Sequence, residues 1–132
     1  MIILDTSAVR ALADGHKTLN LLAGNMAKTP GERLSIPGLC LMQAEAAEEG
    51  LSQRVLALSS VVVDSLDTMA AVSVGTMMRD GYGGPDTCHA LYCALPRPEF
   101  TGMSILLTGN EDAYPPGVAA VDIDSPGMLG FH

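Results

Sequence analysis

Four carboxylates in this chain stand beside the expected end of a strand, or in or at the start of an expected helix. Asp5 follows MIIL and precedes Thr6 and Ser7; Glu45 lies in QAEAAEE; Asp86 follows GYGGP and opens TCHALYCAL; Asp112 closes ILLTGNED, behind Thr108, Asn110 and Glu111. Like charges gathered into one crevice raise one another's pKa values or recruit a cation. The cation that carboxylate and amide oxygens select is hard. Magnesium or manganese fits, because such ions keep several waters and need only one or two protein carboxylates beside the phosphate oxygens of a substrate. The chemistry on offer is water activation near neutral pH and stabilisation of charge on a phosphorus centre and its leaving oxygen. Each acid also has a quieter role open to it: Asp5 and Asp86 are good helix N-caps, and Glu45 fits the solvated face of a helix.

For these residues to meet, distant segments must deliver them to one edge. Short aliphatic runs alternate with helical stretches, which predicts βαβ units and a parallel sheet covered on both faces. Five short strands are expected at Met1–Leu4, Leu34–Ile36, Val61–Val63, Met103–Leu107 and Val118–Ile123. Helices are expected from Ser7 to Ala13, Lys17 to Ala27, Leu39 to Glu49 with Gly50 as its terminator, Ser52 to Leu58, Asp67 to Met78, and from Asp86 until Pro96 and Pro98 stop it. The fold class is thus α/β, a single-domain parallel-sheet α/β/α sandwich over residues 1–124, with 125–132 as a tail outside the regular core. Ligands of such sheets bind beyond the carboxyl ends of the strands, the edge where Asp5, Glu45, Asp86 and the Thr108 to Asp112 stretch are expected to converge.

Composition narrows the function classes. With 132 residues, one core is expected. The uncharged apolar stretches fall far short of the roughly 18 residues of a membrane span, and MIIL lacks a basic flank and a cleavage site, so a cytoplasmic protein away from membranes is the default expectation. Cys40, Cys88 and Cys93 form no CxxC and read as buried thiols. Fifteen acidic residues against seven Lys and Arg give a net charge of −8, the opposite of a basic phosphate-gripping face; a cation site, a basic partner or a merely soluble surface all remain open. Arg10, Lys17, Lys28, Arg33, Arg54, Arg79 and Arg97 are scattered. Adjacent Cys88 and His89 diverge on a helix and make no nucleophile and base. His16 and His132 lie in no metal-ligand spacing, and the glycines form no phosphate loop.

The segments LDTSA, AEAAEE, GPDTCHALYCAL and ILLTGNED, in this order from Met1 to about Ile123, closely resemble the PIN domain. The length resembles that of its small single-domain members, the VapC-type toxins of bacterial toxin-antitoxin pairs. The resemblance implies a metal-dependent endoribonuclease with Asp5, Glu45 and Asp86 as its acidic triad. Mg2+ or Mn2+ would be held by these three and Asp112, with Thr6, Ser7, Thr108 and Asn110 in support. Asn110 stands where many relatives carry a fourth acid, and Asp112 is the substitute two residues on. Implied partners are an RNA substrate, a second copy of the chain, and a small basic antitoxin that places an Arg or Lys in the acidic crevice. The alternative is a PIN-like module with reduced catalysis that works by binding a partner protein, a reading that Asn110 and the acidic balance favour.

Overall fold

The computed structural model of the protein describes residues 1–96 and 103–131; Arg97, Pro98 and His132 lie outside the described residues. Strands covered by helices favour largely apolar runs, and five short, mostly apolar runs form the sheet. They are β1 (Ile2–Leu4), β2 (Leu34–Pro37), β3 (Val61–Asp64), β4 (Ile105–Thr108) and β5 (Ala120–Asp122). Every pairing is parallel, in the order β3-β2-β1-β4-β5. Flanking the sheet are α1 (Thr6–Ala13), α2 (Lys17–Ala27), α3 (Gly38–Ala47), α4 (Leu51–Leu56), α5 (Thr68–Arg79) and α6 (Pro85–Ala94). The expected α/β architecture is therefore present. Among the described residues no helix is long and apolar enough to cross a membrane.

The middle of the sheet is the core. Ile3 and Leu4 of β1, Leu34 and Ile36 of β2, and Leu106 and Leu107 of β4 are fully buried, and Leu12, Leu19, Val55 and Leu91 pack against them from the helices. Cys40, Cys88 and Cys93 are buried, as expected. Side-chain caps fix several helix starts. Asp5 accepts from the Ala8 N–H at α1, Asp67 accepts from Ala70 N–H at α5, and His16 Nδ1 accepts from Leu19 N–H at α2. Because that Nδ1 is an acceptor, Nε2 carries the ring proton and donates to Asp124, 2.8 Å away.

Five expectations need correction. The triple valine of β3 reads as a buried strand, yet β3 is a sheet edge with Val62 and Val63 substantially exposed. The fourth strand begins and ends later than its hydrophobic run, at Ile105 and Thr108. Gly50 does not close α3, which ends at Ala47; with φ of +83° it sits in the left-handed region and turns the chain into α4 as its N-cap. Asp86 is not the cap of α6, because Gly84 holds that position and Pro85 opens the helix. Lastly, the tail is not outside the core: it forms a 3-10 turn over Pro126–Phe131, and Met128 is packed in the core at 2% exposure.

Candidate active site

Strand order sets the position of the site. The chain leaves β1 toward β2 on one side and returns to β4 on the other, so the crevice beyond β1 and β4 is where the connections part and where such sheets bind ligands. Asp5 immediately follows β1, and Thr108 ends β4. Residues 103 apart in sequence thus touch: Thr108 Oγ1 donates to Asp5 Oδ2 at 2.6 Å.

Asp5 is buried to 7% exposure and fully engaged. Its Oδ1 accepts from the Ala8 N–H at 3.0 Å and from Ser7 Oγ at 2.7 Å; its Oδ2 accepts from Thr108 Oγ1 and from the Tyr114 hydroxyl at 2.7 Å. A carboxylate offers about four lone-pair positions, and these four donors use them. Two of the hydroxyls are held from behind. Gly109 N–H donates to Ser7 Oγ at 2.8 Å, and Asn110 N–H donates to Thr108 Oγ1 at 3.0 Å. A Cβ at Gly109 would come within 3.3 Å of Ser7 Cβ and Oγ, so any side chain there would press on Ser7 by a few tenths of an ångström.

Asp86, in the first turn of α6, joins the same pocket through Thr6, whose hydroxyl donates to Asp86 Oδ2 at 2.6 Å. Cys40 of α3 closes the floor by donating from Sγ to the Asp86 carbonyl at 3.3 Å. Burial, with Asp5 and Asp86 adding their negative charge, pushes the Cys40 thiol up to about 12. Burial and then Asp5 likewise raise the Tyr114 hydroxyl far above its ordinary value. Both groups stay protonated donors at neutral pH, and both feel both carboxylates. Cys88 is also raised, by burial first and Asp86 second.

Glu45 is not brought into this pocket. Its Oε2 accepts from the Gly50 N–H at 2.8 Å, and its Oε1 accepts from the Ser52 N–H at 2.9 Å and from the Ser52 hydroxyl. It therefore caps the start of α4 from α3, satisfying N–H groups that a helix start otherwise leaves unpaired. Those bonds, the Ser52 hydroxyl first, hold its carboxyl down at about 2. Asp112 lies exposed on a 3-10 turn over Glu111–Ala113, and the exposed Asn110 contributes its backbone N–H to the network. Among the described residues no three His, Cys, Asp or Glu side chains are grouped so as to hold a metal ion. The structure thus unites Asp5, Asp86, Thr6, Ser7 and Thr108 and leaves Glu45 and Asp112 apart. Cys40, read only as a buried thiol, and Tyr114, not singled out at all, belong to the site. The one sequence cue for Tyr114 is its place between the acidic turn and Pro115-Pro116.

The Glu45 cap has a measurable signature. A carboxyl depressed in the folded state stabilises the fold above its ordinary value of 4.5 and loses that contribution as pH falls from 4.5 through about 2. Urea midpoints followed over that window should fall in the wild type, and Glu45→Gln should flatten the fall. Identical profiles would refute the cap.

No protein-family model matches the chain, and no curated protein matches it by sequence. Among solved structures, the crystal structure of DNA-bound VapBC from Salmonella typhimurium shares the fold, with a TM-score of 0.60 over 92% of this chain and 96% of that one. The fold is PIN-like. At 20% identity the likeness is one of fold, and the PIN-like sheet is what presents Asp5, Thr108 and Asp86 at a shared edge.

An oxygen-only set with two neighbouring carboxylates, Asp5 and Asp86, suits a hard divalent ion that keeps waters and is completed by a phosphate. It does not make a cage of three acids. Three of the four donors on Asp5 are hydroxyls, which turn away at far lower cost than a backbone N–H fixed in a helix.

Proposed function

We propose that this PIN-like chain is an endoribonuclease of the VapC type, the toxin of a toxin-antitoxin pair, that hydrolyses RNA phosphodiester bonds at the pocket of Asp5 and Asp86. The observation that carries the reading is the meeting of Asp5, Thr108, Thr6 and Asp86, from three separated segments, at the switch point of a parallel sheet. Asp5 and Asp86 would hold Mg2+ or Mn2+, which supplies an activated water and neutralises charge at phosphorus. The protein's own residues do the positioning. Thr6 orients the Asp86 carboxylate, Ser7 and Thr108 orient Asp5, and the Gly109 and Asn110 N–H groups lock those two hydroxyls in place. Exposed Glu111 and Asp112 extend the negative field outward from the pocket, complementary to a small basic antitoxin whose Arg or Lys would neutralise the carboxylates. Glu45 and Asp112, expected as ligands, are left out of this proposal; a second copy of the chain and a cytoplasmic setting remain part of it.

A second reading is a partner-binding module with reduced catalysis. It is favoured by the engagement of all four acceptor positions of Asp5 and by the commitment of Glu45 to α4. Purified protein with manganese and structured RNA separates the two. Cleavage by the wild type that disappears in Asp5→Asn supports the nuclease. Equal cleavage by both betrays a contaminant and removes the support, and no cleavage by fully folded protein favours the binding module.

A further inference from the structure

The four donors on Asp5 are not equally bound to their places. Ala8 N–H belongs to the first turn of α1. Ser7 Oγ and Thr108 Oγ1 each serve twice, donating to Asp5 while accepting from the backbone of Gly109 and Asn110. The Tyr114 hydroxyl has Asp5 as its one hydrogen-bond partner among the described residues. Tyr114 also sits at the end of the exposed Glu111–Ala113 turn and directly before Pro115-Pro116, whereas Ser7 and Thr108 are built into α1 and β4. Any cation that takes an Asp5 oxygen directly has to displace one donor, and the Tyr114 hydroxyl, held by no backbone N–H among the described residues and carried beside an exposed turn, is the one least anchored in place.

We infer that Tyr114 is a latch on the acidic pocket: its hydroxyl occupies Asp5 Oδ2 in competition with a divalent cation, so that cation entry and release of Tyr114 are one event. The inference rests on the reading that Asp5 and Asp86 take a divalent ion, and it assigns Tyr114 a positioning role that sets how readily they do so. In the closed state the hydroxyl does for the carboxylate part of what a cation would do, which is how a buried acid of this kind is tolerated in the free protein.

Free and bound Mn2+ are distinguished directly by electron paramagnetic resonance, without recourse to activity. Tyr114→Phe keeps the ring and removes the competing donor, so the variant should bind Mn2+ about tenfold more tightly than the wild type, the order expected when one hydrogen bond to a charged group no longer has to be broken. Asp5→Asn should abolish binding by both. Tyr114→Phe binding no tighter than the wild type, with Asp5→Asn still abolishing binding, overturns the latch and leaves the metal reading intact. No Mn2+ binding by any folded variant overturns both. A second measurement needs no folded variant. The chain has three tyrosines and no tryptophan, so saturating the wild type with Mg2+ should perturb the tyrosine ultraviolet difference spectrum as a buried hydroxyl changes partner; an unchanged spectrum on demonstrated Mg2+ binding also overturns the latch.

Discussion

Replacing Asp5 with alanine is expected to remove about 3–5 kcal/mol of stability, read as a lowered urea midpoint at pH 7. The size follows from what the carboxylate holds. It caps α1, an interaction worth about 1 kcal/mol by itself, and it is the shared acceptor of three hydroxyls, of which Thr108 and Tyr114 are buried. Without it, buried donors lose their acceptor, and each such loss costs about 1–3 kcal/mol, with the terms overlapping because the groups form one network. Against a typical total of about 5–15 kcal/mol this is a large fraction. Asp5→Asn should cost clearly less, since its remaining carbonyl keeps part of the network. A loss below about 1 kcal/mol for the alanine variant would contradict the network as described.

The largest effect on activity separates two acids that look alike in the sequence. Asp86→Asn should lower RNA cleavage at least about a hundredfold, because it removes charge from the oxygen set that serves the reaction. Glu45→Gln should leave kcat within about twofold, the change expected of a group outside the reacting site, while showing the altered acid stability described above. A steady-state comparison on one RNA substrate decides it. Equal collapse of both variants would place Glu45 in the pocket after all and refute the geometry described for it. Equal persistence would remove Asp86 from the chemistry.

Much of this fold was legible because each strand is a compact aliphatic run bounded by turn residues, and a parallel sheet demands such runs. Asp5 was legible for the same reason: an apolar run that stops on a carboxylate and two hydroxyls has to present them at the strand's end. The valines of β3 misled because an apolar run shows a strand's tendency to be buried but not its place in the sheet order, which depends on every other strand. Glu45 was not legible because its destination is decided by a rotamer and by the left-handed turn at Gly50, which swings the start of α4 back toward α3. An acid among alanines looks the same whether it faces a pocket or a neighbouring helix start. Tyr114 was hidden by distance, since it reaches Asp5 across 109 residues of chain. Met128 shows the same limit, as a glycine- and proline-bearing tail gives no local sign of packing on β5.

The central place of β1 also fixes when the protein can come into being. Its neighbour β4 and the hydroxyl that grips Asp5 arrive 103 residues later, about 5–20 s of elongation at ordinary ribosome speeds. Until then the middle of the sheet lacks one side, and pairing across so long a span is slow because the loop entropy is spent before the contacts repay it. A nascent chain halted halfway has no β4, and Asp5 lacks the Thr108 hydroxyl. The anionic pocket therefore forms only once β4 has been made, and no truncated fragment ending before β4 can assemble it.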